Sequence, residues 1–208
     1  MANEKIKKLK KTAEIEFTEK KSLFIAIATP INSEEEALEF IKQRKKKYAD
    51  ATHNVYAYTL GDGTLSRYSD DAEPQGTAGM PALNAIRMSG ITDVCVVITR
   101  YFGGILLGAG GLVRAYSTSA SMALEAGGIA VYEEYIEVKS ICTYSDYQKL
   151  LPILTSYEAI VDETEFSSDV NLKFAISKEM FDDFKLKINE AFAGKVLLEI
   201  SGVRLDCK

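Results

Sequence analysis

Three carboxylates stand within four residues of one turn-prone segment. The chain reads DDAEPQG over residues 70–76 (the acidic segment), so Asp70, Asp71 and Glu73 are close neighbours. Two carboxylates held together can act as general acid and general base, or can bind a hard cation such as Mg²⁺. The structural alternative is that Asp70 and Asp71 accept hydrogen bonds from backbone amides, while Glu73 caps a helix beginning near Thr77. No second group of metal ligands accompanies the segment, so we expect no metal site.

A segment rich in glycine follows a wholly apolar run. Residues 94–99 read VCVVIT, which predicts a strand buried on both faces, and residues 100–111 (the glycine-rich segment) read RYFGGILLGAGG. A strand, a glycine-rich turn and a helix N-terminus together form a general kind of anion site, because unpaired amides and the helix dipole point at the ligand. The segment contains neither a Walker A loop nor a dinucleotide fingerprint.

Two arginines and two aromatic residues frame the glycine-rich segment. Arg100 ends the predicted strand, and Arg114 lies in the first turn of a helix predicted over residues 112–125. A cation is unfavourable in a first helical turn, so we expect Arg114 to meet a carboxylate of the acidic segment or an external phosphate. Tyr101 and Phe102 are either exposed platforms for bases or buried packing residues.

The single histidine, His53, precedes a strand predicted over residues 55–60. It is either a base that needs a carboxylate beside it, such as Asp50 or one in the acidic segment, or a structural residue. The candidate binding residues are His53, Asp70, Asp71, Glu73, Gly76, Thr77, Arg100, Tyr101, Phe102, Gly103, Gly104, Gly108, Gly110, Gly111 and Arg114.

The composition fits a globular chain of one large domain or two small ones. Of the 208 residues 47% are hydrophobic, and no run approaches the roughly 18 apolar residues of a membrane span. The N-terminus lacks the apolar stretch of a secretory signal. The three cysteines stand far apart without a CxxC pair. We therefore expect a reducing, cytoplasmic location, with no disulfide and no zinc site.

The net charge of −5 is unevenly distributed. Residues 1–132 carry 16 basic and 15 acidic side chains, whereas residues 133–208 carry 9 and 15. Because an acidic surface repels phosphate, we expect any contact with nucleic acid to come from the N-terminal part. The basic run over residues 42–47 is either a solvated helix end or part of such a contact.

The predicted elements indicate an α+β protein with two domains, over residues 1–132 and 133–208. Residues 5–11 form a charged tail or first turn. Ser33 and Glu36 form a capping box, and Gly90 and Gly127-Gly128 end two helices. The elements of the first domain are a hairpin over residues 13–28, a helix over 33–48, a hairpin over 55–68 turning at 61–63, a helix over 77–88, the strand 94–99 and the helix 112–125.

The second domain follows the order β-α-β-β-α-β, which is the ferredoxin-like plan. Ser145 and Gln148 are predicted to cap its first helix, in which Pro152 introduces a kink, and Ser177 to cap its second. Its strands are predicted over residues 135–143, 159–166, 170–176 and 196–203.

Two long motifs resemble the signature of the YigZ/IMPACT family. Residues 70–81 read DDxEPxGTAGxP, and residues 99–116 read TRYFGGxxLGxGGLxRAY, where x marks positions outside the signature. The resemblance covers essentially the whole chain. The chain has Ala72 where the family usually has glycine, which argues against a positive φ at that position.

The resemblance implies an N-terminal domain similar to the second domain of ribosomal protein S5. It also implies a C-terminal domain similar to the ferredoxin-like domains III and V of elongation factor G. Eukaryotic members restrain an amino-acid-starvation kinase that phosphorylates an initiation factor, by competing for its activator. Some members carry a proline-dipeptidase label, but a chain with one histidine lacks the ligand set of a two-metal peptidase.

These observations favour a non-enzymatic, translation-linked regulator without a cofactor, which binds RNA, a ribosomal component or a protein partner through its N-terminal domain. The alternative is an enzyme that binds a nucleotide or phosphate compound between the acidic and glycine-rich segments, with Asp70 or Asp71 as base or Mg²⁺ ligand and His53 assisting. A third hypothesis is a protein-interaction module in which both segments only build the fold.

If the carboxylates pair with Arg100 or Arg114, the motif is a structural lock. If the charges stay apart across a groove, it is a binding surface.

Overall fold

The computed structural model describes residues 5–61 and 63–207. It divides into two compact units, one of Ile6–Val131 and one from Tyr132 onward that also takes in Lys5. None of the helices in these ranges is long and apolar enough to cross a membrane.

The strands are β1 (Ile6–Leu9), β2 (Ala13–Glu19), β3 (Ser22–Pro30), β4 (His53–Leu60), β5 (Leu65–Ser69), β6 (Ile91–Thr92), β7 (Val94–Tyr101), β8 (Ile129–Cys142), β9 (Ile160–Phe166), β10 (Val170–Ser177) and β11 (Leu197–Cys207). The helices are α1 (Glu34–Lys47), α2 (Gly79–Ser89), α3 (Gly108–Gly127), α4 (Tyr144–Ser156) and α5 (Phe181–Phe192). The predicted α+β class is confirmed.

An antiparallel sheet in the order β2-β3-β7-β4-β5 forms the centre of the first unit. The prediction of a doubly buried strand is confirmed, because β7 lies in the middle of this sheet. Val96 and Ile98 pack on the face covered by α2 and α3, while Cys95 and Val97 pack on the face covered by α1. Since successive side chains of a strand alternate between faces, Arg100 lies on the α2–α3 face, at the end of β7.

The β2–β3 hairpin turns at two lysines. Glu19 pairs with Ser22, and Lys20 and Lys21 between them have φ values of 44° and 67°. Two consecutive positive φ values are typical of the tight turns that match the twist of a hairpin. The predicted pairing of these strands is confirmed.

Two other predictions in the first unit have different outcomes. The prediction of a charged tail over residues 5–11 is wrong, because β1 pairs in parallel with β6 and Leu9 is buried. The predicted turn at residues 61–63 includes Asp62, which lies outside the described residues. The flanking strands pair as expected, with Leu60 opposite Leu65.

The capping of α1 follows the prediction with one change. Ser33 is the N-cap, and its hydroxyl accepts a hydrogen bond from the Glu36 amide at 3.3 Å. The Glu36 carboxylate, however, accepts from the amide of Asn32 at 2.7 Å. At the other helix ends, Gly90 and Gly128 are the C-caps of α2 and α3, with φ values of 70° and 71°, as predicted.

The second unit has the predicted ferredoxin-like plan. Its antiparallel sheet has the order β9-β10-β8-β11, and β8 itself begins in the first unit. Both helices bury their apolar sides on one face of this sheet, where Leu154 of α4 and Phe184 of α5 join Phe174 of β10. The helix α4 continues past Pro152.

The predicted caps of the second unit are wrong. Thr143 is the N-cap of α4, and its hydroxyl accepts from the Asp146 amide at 3.2 Å, so the helix begins earlier than Ser145. Met180 is the N-cap of α5, because the chain makes a turn between Ser177 and the helix.

Candidate functional site

Asp70 holds the N-terminus of α2. One of its oxygens, Oδ1, accepts from the amides of Ala78 at 3.1 Å and Gly79 at 2.8 Å, and Oδ2 accepts from the amide of Gly76 at 2.8 Å. A carboxylate at a helix start satisfies unpaired amides and suits the helix dipole. The prediction that Glu73 caps this helix is therefore wrong, and Asp70 takes that role.

Asp71 connects the acidic segment to α1 and β4. Its carboxylate accepts from Lys45 Nζ and from the Asn54 amide, both at 2.6 Å. Burial alone would raise the pKa of Asp71, but these two hydrogen bonds, together with the charge of Lys45, hold the pKa below its usual range. Its carbonyl oxygen lies 2.8 Å from His53 Nδ1. Asp71 and Ala72 have φ values of 45° and 67°, so the expectation against a positive φ at Ala72 is wrong.

These contacts bear on the enzymatic alternative. Both oxygens of Asp70 and both of Asp71 already accept hydrogen bonds from the protein. These contacts favour the structural alternative for both carboxylates. Within the part of the chain that the structure describes, no cluster of acidic, histidine and cysteine side chains could hold a metal ion.

Glu73 is the centre of a buried ionic cluster. Its Oε1 atom accepts from Arg100 Nη1 at 2.6 Å and from the Tyr116 hydroxyl at 2.7 Å, and His53 Nε2 lies 3.8 Å away. The side chains of Glu73 and Arg100 are 3% and 6% exposed. Burial, and then the charge of Glu73, raise the pKa of Tyr116 well above its usual range, so its hydroxyl remains a donor. The charges of the Glu73 carboxylate and the Arg100 guanidinium neutralise each other inside the protein, which is the arrangement of a structural lock.

The glycine-rich segment divides into a short connection and a helical turn. The prediction that α3 begins at residue 112 is wrong, because Gly108, Gly110 and Gly111 form its first turn. Gly103 packs against the β2–β3 turn, where a Cβ atom would lie 2.0 Å from the carbonyl of Lys21. Gly104 has a φ of 81°. Glycine is thus required at 103 by close approach and at 104 by conformation.

The remaining predicted residues lie around this centre. Tyr101 is half-buried, and its hydroxyl donates to Asp50 at 3.0 Å, while Phe102 is 47% exposed. Thr77 is buried and its hydroxyl donates to the Pro74 carbonyl at 2.6 Å.

Arg114 differs from its prediction. It lies in the second turn of α3, since the helix begins earlier than predicted, and its side chain is exposed. It forms no ion pair with residues 5–61 or 63–207, so its expected carboxylate partner is not found among them.

A groove of about 400 Å³ opens beside the ionic cluster. It brings together five predicted residues and part of the connection before α3, whereas Asp70, Asp71 and Arg114 are outside its lining. A larger concavity of about 700 Å³ on the second unit contains none of the predicted residues. The groove is lined by Thr52, His53, Ala72, Glu73, Pro74, Arg100, Phe102, Leu106, Leu107, Gly108, Ala109 and Leu112.

Tyr116 and Lys45 are the main participants that sequence reasoning missed. Tyr116 is the last residue of the motif that ends in RAY. Its position on the buried side of α3 is the signal that could have identified it as part of the site. Lys45 stands in the basic run over residues 42–47, and nothing in the local sequence distinguishes it from its neighbours.

Comparison with known proteins covers both units. The family model described as Impact N-terminal domain matches residues 20–124, and that of a domain of unknown function, DUF1949, matches residues 141–195. The IMPACT family member YvyE of Bacillus subtilis (strain 168) is 35% identical over 188 residues, covering 90% of this chain and 87% of that relative. The IMPACT family member YigZ of Escherichia coli (strain K12) is 30% identical over 182 residues, covering 86% and 89%. A crystal structure of a hypothetical protein is 28% identical with a TM-score of 0.59, covering 96% of this chain and 98% of that one.

Proposed function

This chain belongs to the IMPACT family, and on that premise we propose that it is a cytoplasmic, translation-linked regulator whose N-terminal unit binds a protein partner. The family resemblance supports this proposal, because it implies that eukaryotic members restrain a starvation kinase by competing for its activator. The proposal needs no cofactor and no catalytic step.

The observation that carries the proposal is an exposed apolar loop between β7 and α3, which we call the rim loop (residues 102–107). Phe102, Ile105 and Leu106 are 47%, 42% and 83% exposed. Phe102 and Leu106 also line the groove, so the loop forms part of its edge. Exposed apolar residues grouped in this way mark interaction surfaces, and aromatic residues are enriched in protein interfaces.

A protein partner is favoured over RNA by the charges of the same unit. Arg100, the predicted phosphate contact, is buried and paired with Glu73. The exposed cations near the rim loop in sequence or packing are Arg114, Lys20 and Lys21. Residues 1–132 carry 16 basic side chains against 15 acidic ones. RNA binding depends mainly on cations that neutralise phosphates. The nearly equal numbers of basic and acidic side chains therefore give this unit little electrostatic attraction for RNA.

The test is capture from lysate of growing cells by the full-length chain, with ribosomal proteins and translation factors quantified by mass spectrometry. We expect capture that survives nuclease treatment and falls about tenfold in the double variant Ile105→Ser, Leu106→Ser, since a few central residues carry most binding energy. Leu186→Ser is the matched control, because Leu186 is 64% exposed on α5 of the other unit.

Two results would overturn the proposal. Capture that disappears with nuclease would identify RNA as the partner. Equal capture by the rim-loop variant and the wild type would exclude the rim loop as the binding surface.

A further inference from the structure

Three aromatic side chains of the second unit, which we call the aromatic cluster, meet where the first turn of α4 approaches the turn after β9. They are Tyr144, Tyr147 and Phe166. The Tyr144 hydroxyl donates to the Ser167 carbonyl at 2.8 Å, and this bond joins the two segments. The ring of Phe166 stacks on Tyr144 with 6.0 Å between the centroids, and the ring of Tyr147 stands nearly perpendicular to it at 5.6 Å.

Two of these rings are largely exposed to solvent. Phe166 is 59% exposed and Tyr144 is 48% exposed. Tyr147 is half-buried and packs against the core of the second unit, whereas the other two rings are not part of that core. Grouped exposed apolar residues mark interaction surfaces, and aromatic side chains are frequent anchors of interfaces. Because the three rings already hold one another, ordering them on binding costs little.

The surroundings of the aromatic cluster are acidic. Residues 158–169, which include β9 and the turn after it, carry five acidic side chains and no basic one. Residues 133–208 as a whole carry 15 acidic and 9 basic side chains. Lys149, the basic residue of α4, is five positions after Tyr144 and therefore lies about 140° away around the helix axis. This excess of negative charge repels phosphate groups, so nucleic acid and anionic lipid are unfavourable partners.

Two carboxylates of the joined segments, Asp146 and Asp169, are available to a partner. Burial raises the pKa of the Cys142 thiol, and the charges of Asp146 and Asp169 raise it further, which is consistent with both carboxylates lying near the end of β8. Their hydrogen bonds come from neutral hydroxyls, those of Thr143 at 2.8 Å and Ser168 at 3.4 Å. Among residues 5–61 and 63–207, neither carboxylate forms an ion pair.

We propose that the aromatic cluster is the docking surface for a basic segment of another protein. Arginine or lysine side chains of that segment lie against the rings of Phe166 and Tyr144 and pair with Asp146 and Asp169. A cation is attracted to the face of an aromatic ring, and an arginine stacks on a ring while its fork of donors binds a carboxylate. Complementary charge of this kind selects the partner and steers its approach. The surface lies on the other unit from the rim loop, so the proposal does not depend on the proposed function.

Fluorescence anisotropy with the purified full-length chain tests this with three labelled probes. They are a peptide in which arginine alternates with glycine, the same peptide with citrulline in place of arginine, and a single-stranded RNA of similar length. Citrulline has nearly the shape of arginine but no charge. We expect saturable binding of the arginine peptide with a Kd of about 100 μM or tighter, binding of the citrulline peptide at least about tenfold weaker, and no saturable binding of the RNA.

Two matched pairs of variants locate the surface, and thermal melts check that each variant is folded. Phe166→Ser should weaken binding of the arginine peptide at least about tenfold, whereas Leu186→Ser, at a residue that is 64% exposed on α5 of the same unit, should not change it. Neither substitution alters the net charge, so a general attraction between charges would affect both variants equally. Asp169→Asn should weaken binding about threefold, whereas Glu190→Gln removes an exposed carboxylate of α5 and should leave the affinity unchanged.

Four results would overturn the proposal. They are no binding of the arginine peptide, equal affinity for the citrulline peptide, equal affinity of the two variants within either matched pair, and RNA binding that is lost in Phe166→Ser. The last result would assign the surface to nucleic acid instead. None of these variants changes the rim loop, so a failure here does not bear on the capture experiment.

Discussion

Removing the Glu73 carboxylate tests the buried ionic cluster most directly. Glu73→Ala deletes the oxygen that accepts from Arg100 at 2.6 Å and Tyr116 at 2.7 Å. The charge of Arg100 would stay buried without a partner, since that side chain is 6% exposed. Breaking a buried ion pair from one side costs about 3–5 kcal/mol, and an unpaired buried hydroxyl adds about 1–3 kcal/mol. We therefore expect a loss of about 4 kcal/mol or more, against a total stability of about 5–15 kcal/mol for a typical protein.

Native-state hydrogen exchange of the β7 amides is the assay, because it reports the unfolding free energy of the first unit by itself. Arg100→Ala should cost a similar amount, since it leaves Glu73 buried and unpaired. The double variant should cost clearly less than both single variants together, with a coupling of about 2–3 kcal/mol. As a control, Glu39→Ala removes an exposed contact to Lys42 at 3.7 Å and should leave the exchange unchanged. A loss below about 1 kcal/mol for Glu73→Ala, or additive costs, would refute the reasoning.

Two further predictions concern the segments on either side of this cluster. Gly103→Ala should lower the stability of the first unit by about 3 kcal/mol, because its Cβ would meet the Lys21 carbonyl at 2.0 Å. Gly110→Ala should raise the stability by about 0.5–1 kcal/mol, because alanine is the better helix former and its Cβ would meet nothing there. Equal shifts in Tm for the two variants would contradict the packing argument. Asp71→Asn should destabilise the protein at neutral pH, and the difference in stability from wild type should shrink as the pH falls below about 4. The reason is that the bond from Lys45 holds the pKa of Asp71 below its unfolded value. The stability that the ionised carboxylate contributes is therefore lost when Asp71 is protonated. Urea midpoints at neutral and acidic pH measure this, and a gap that does not change with pH would count against it.

Local patterns were sufficient for most of the elements. The apolar run of β7, the Ser33 cap and the glycine at position 90 each act through residues a few positions away, and each prediction is confirmed. Several of the predictions that are wrong concern helix boundaries. The sequence predicts a loop at the first turn of α3, because Gly108 and Gly110 are poor helix formers. In the structure this exposed turn is helical, as an extension of a helix whose buried residues begin at Leu112.

The contacts of the candidate site were not accessible in the same way. The sequence indicates that carboxylates and arginines stand near each other, but a lock and an open surface use the same residue types. Arg100 is 27 residues from Glu73, and Tyr116 is 43 residues from it. Their meeting depends on which loops cover the end of β7, and this is set by long-range packing.

The sequence alone determined the two-unit α+β organisation and the family, because hydrophobic periodicity, turn residues and the two long motifs are local properties of the chain. Only the tertiary structure decided the role of each charge. In the folded chain Asp70 accepts hydrogen bonds at the start of α2, Asp71 pairs with Lys45, and Glu73 pairs with Arg100. The rim loop and the first turn of α3 remain exposed beside the groove. The physical reason is that the cost of a buried charge depends on its partner, and the partners come together only when the sheet and its helices are assembled.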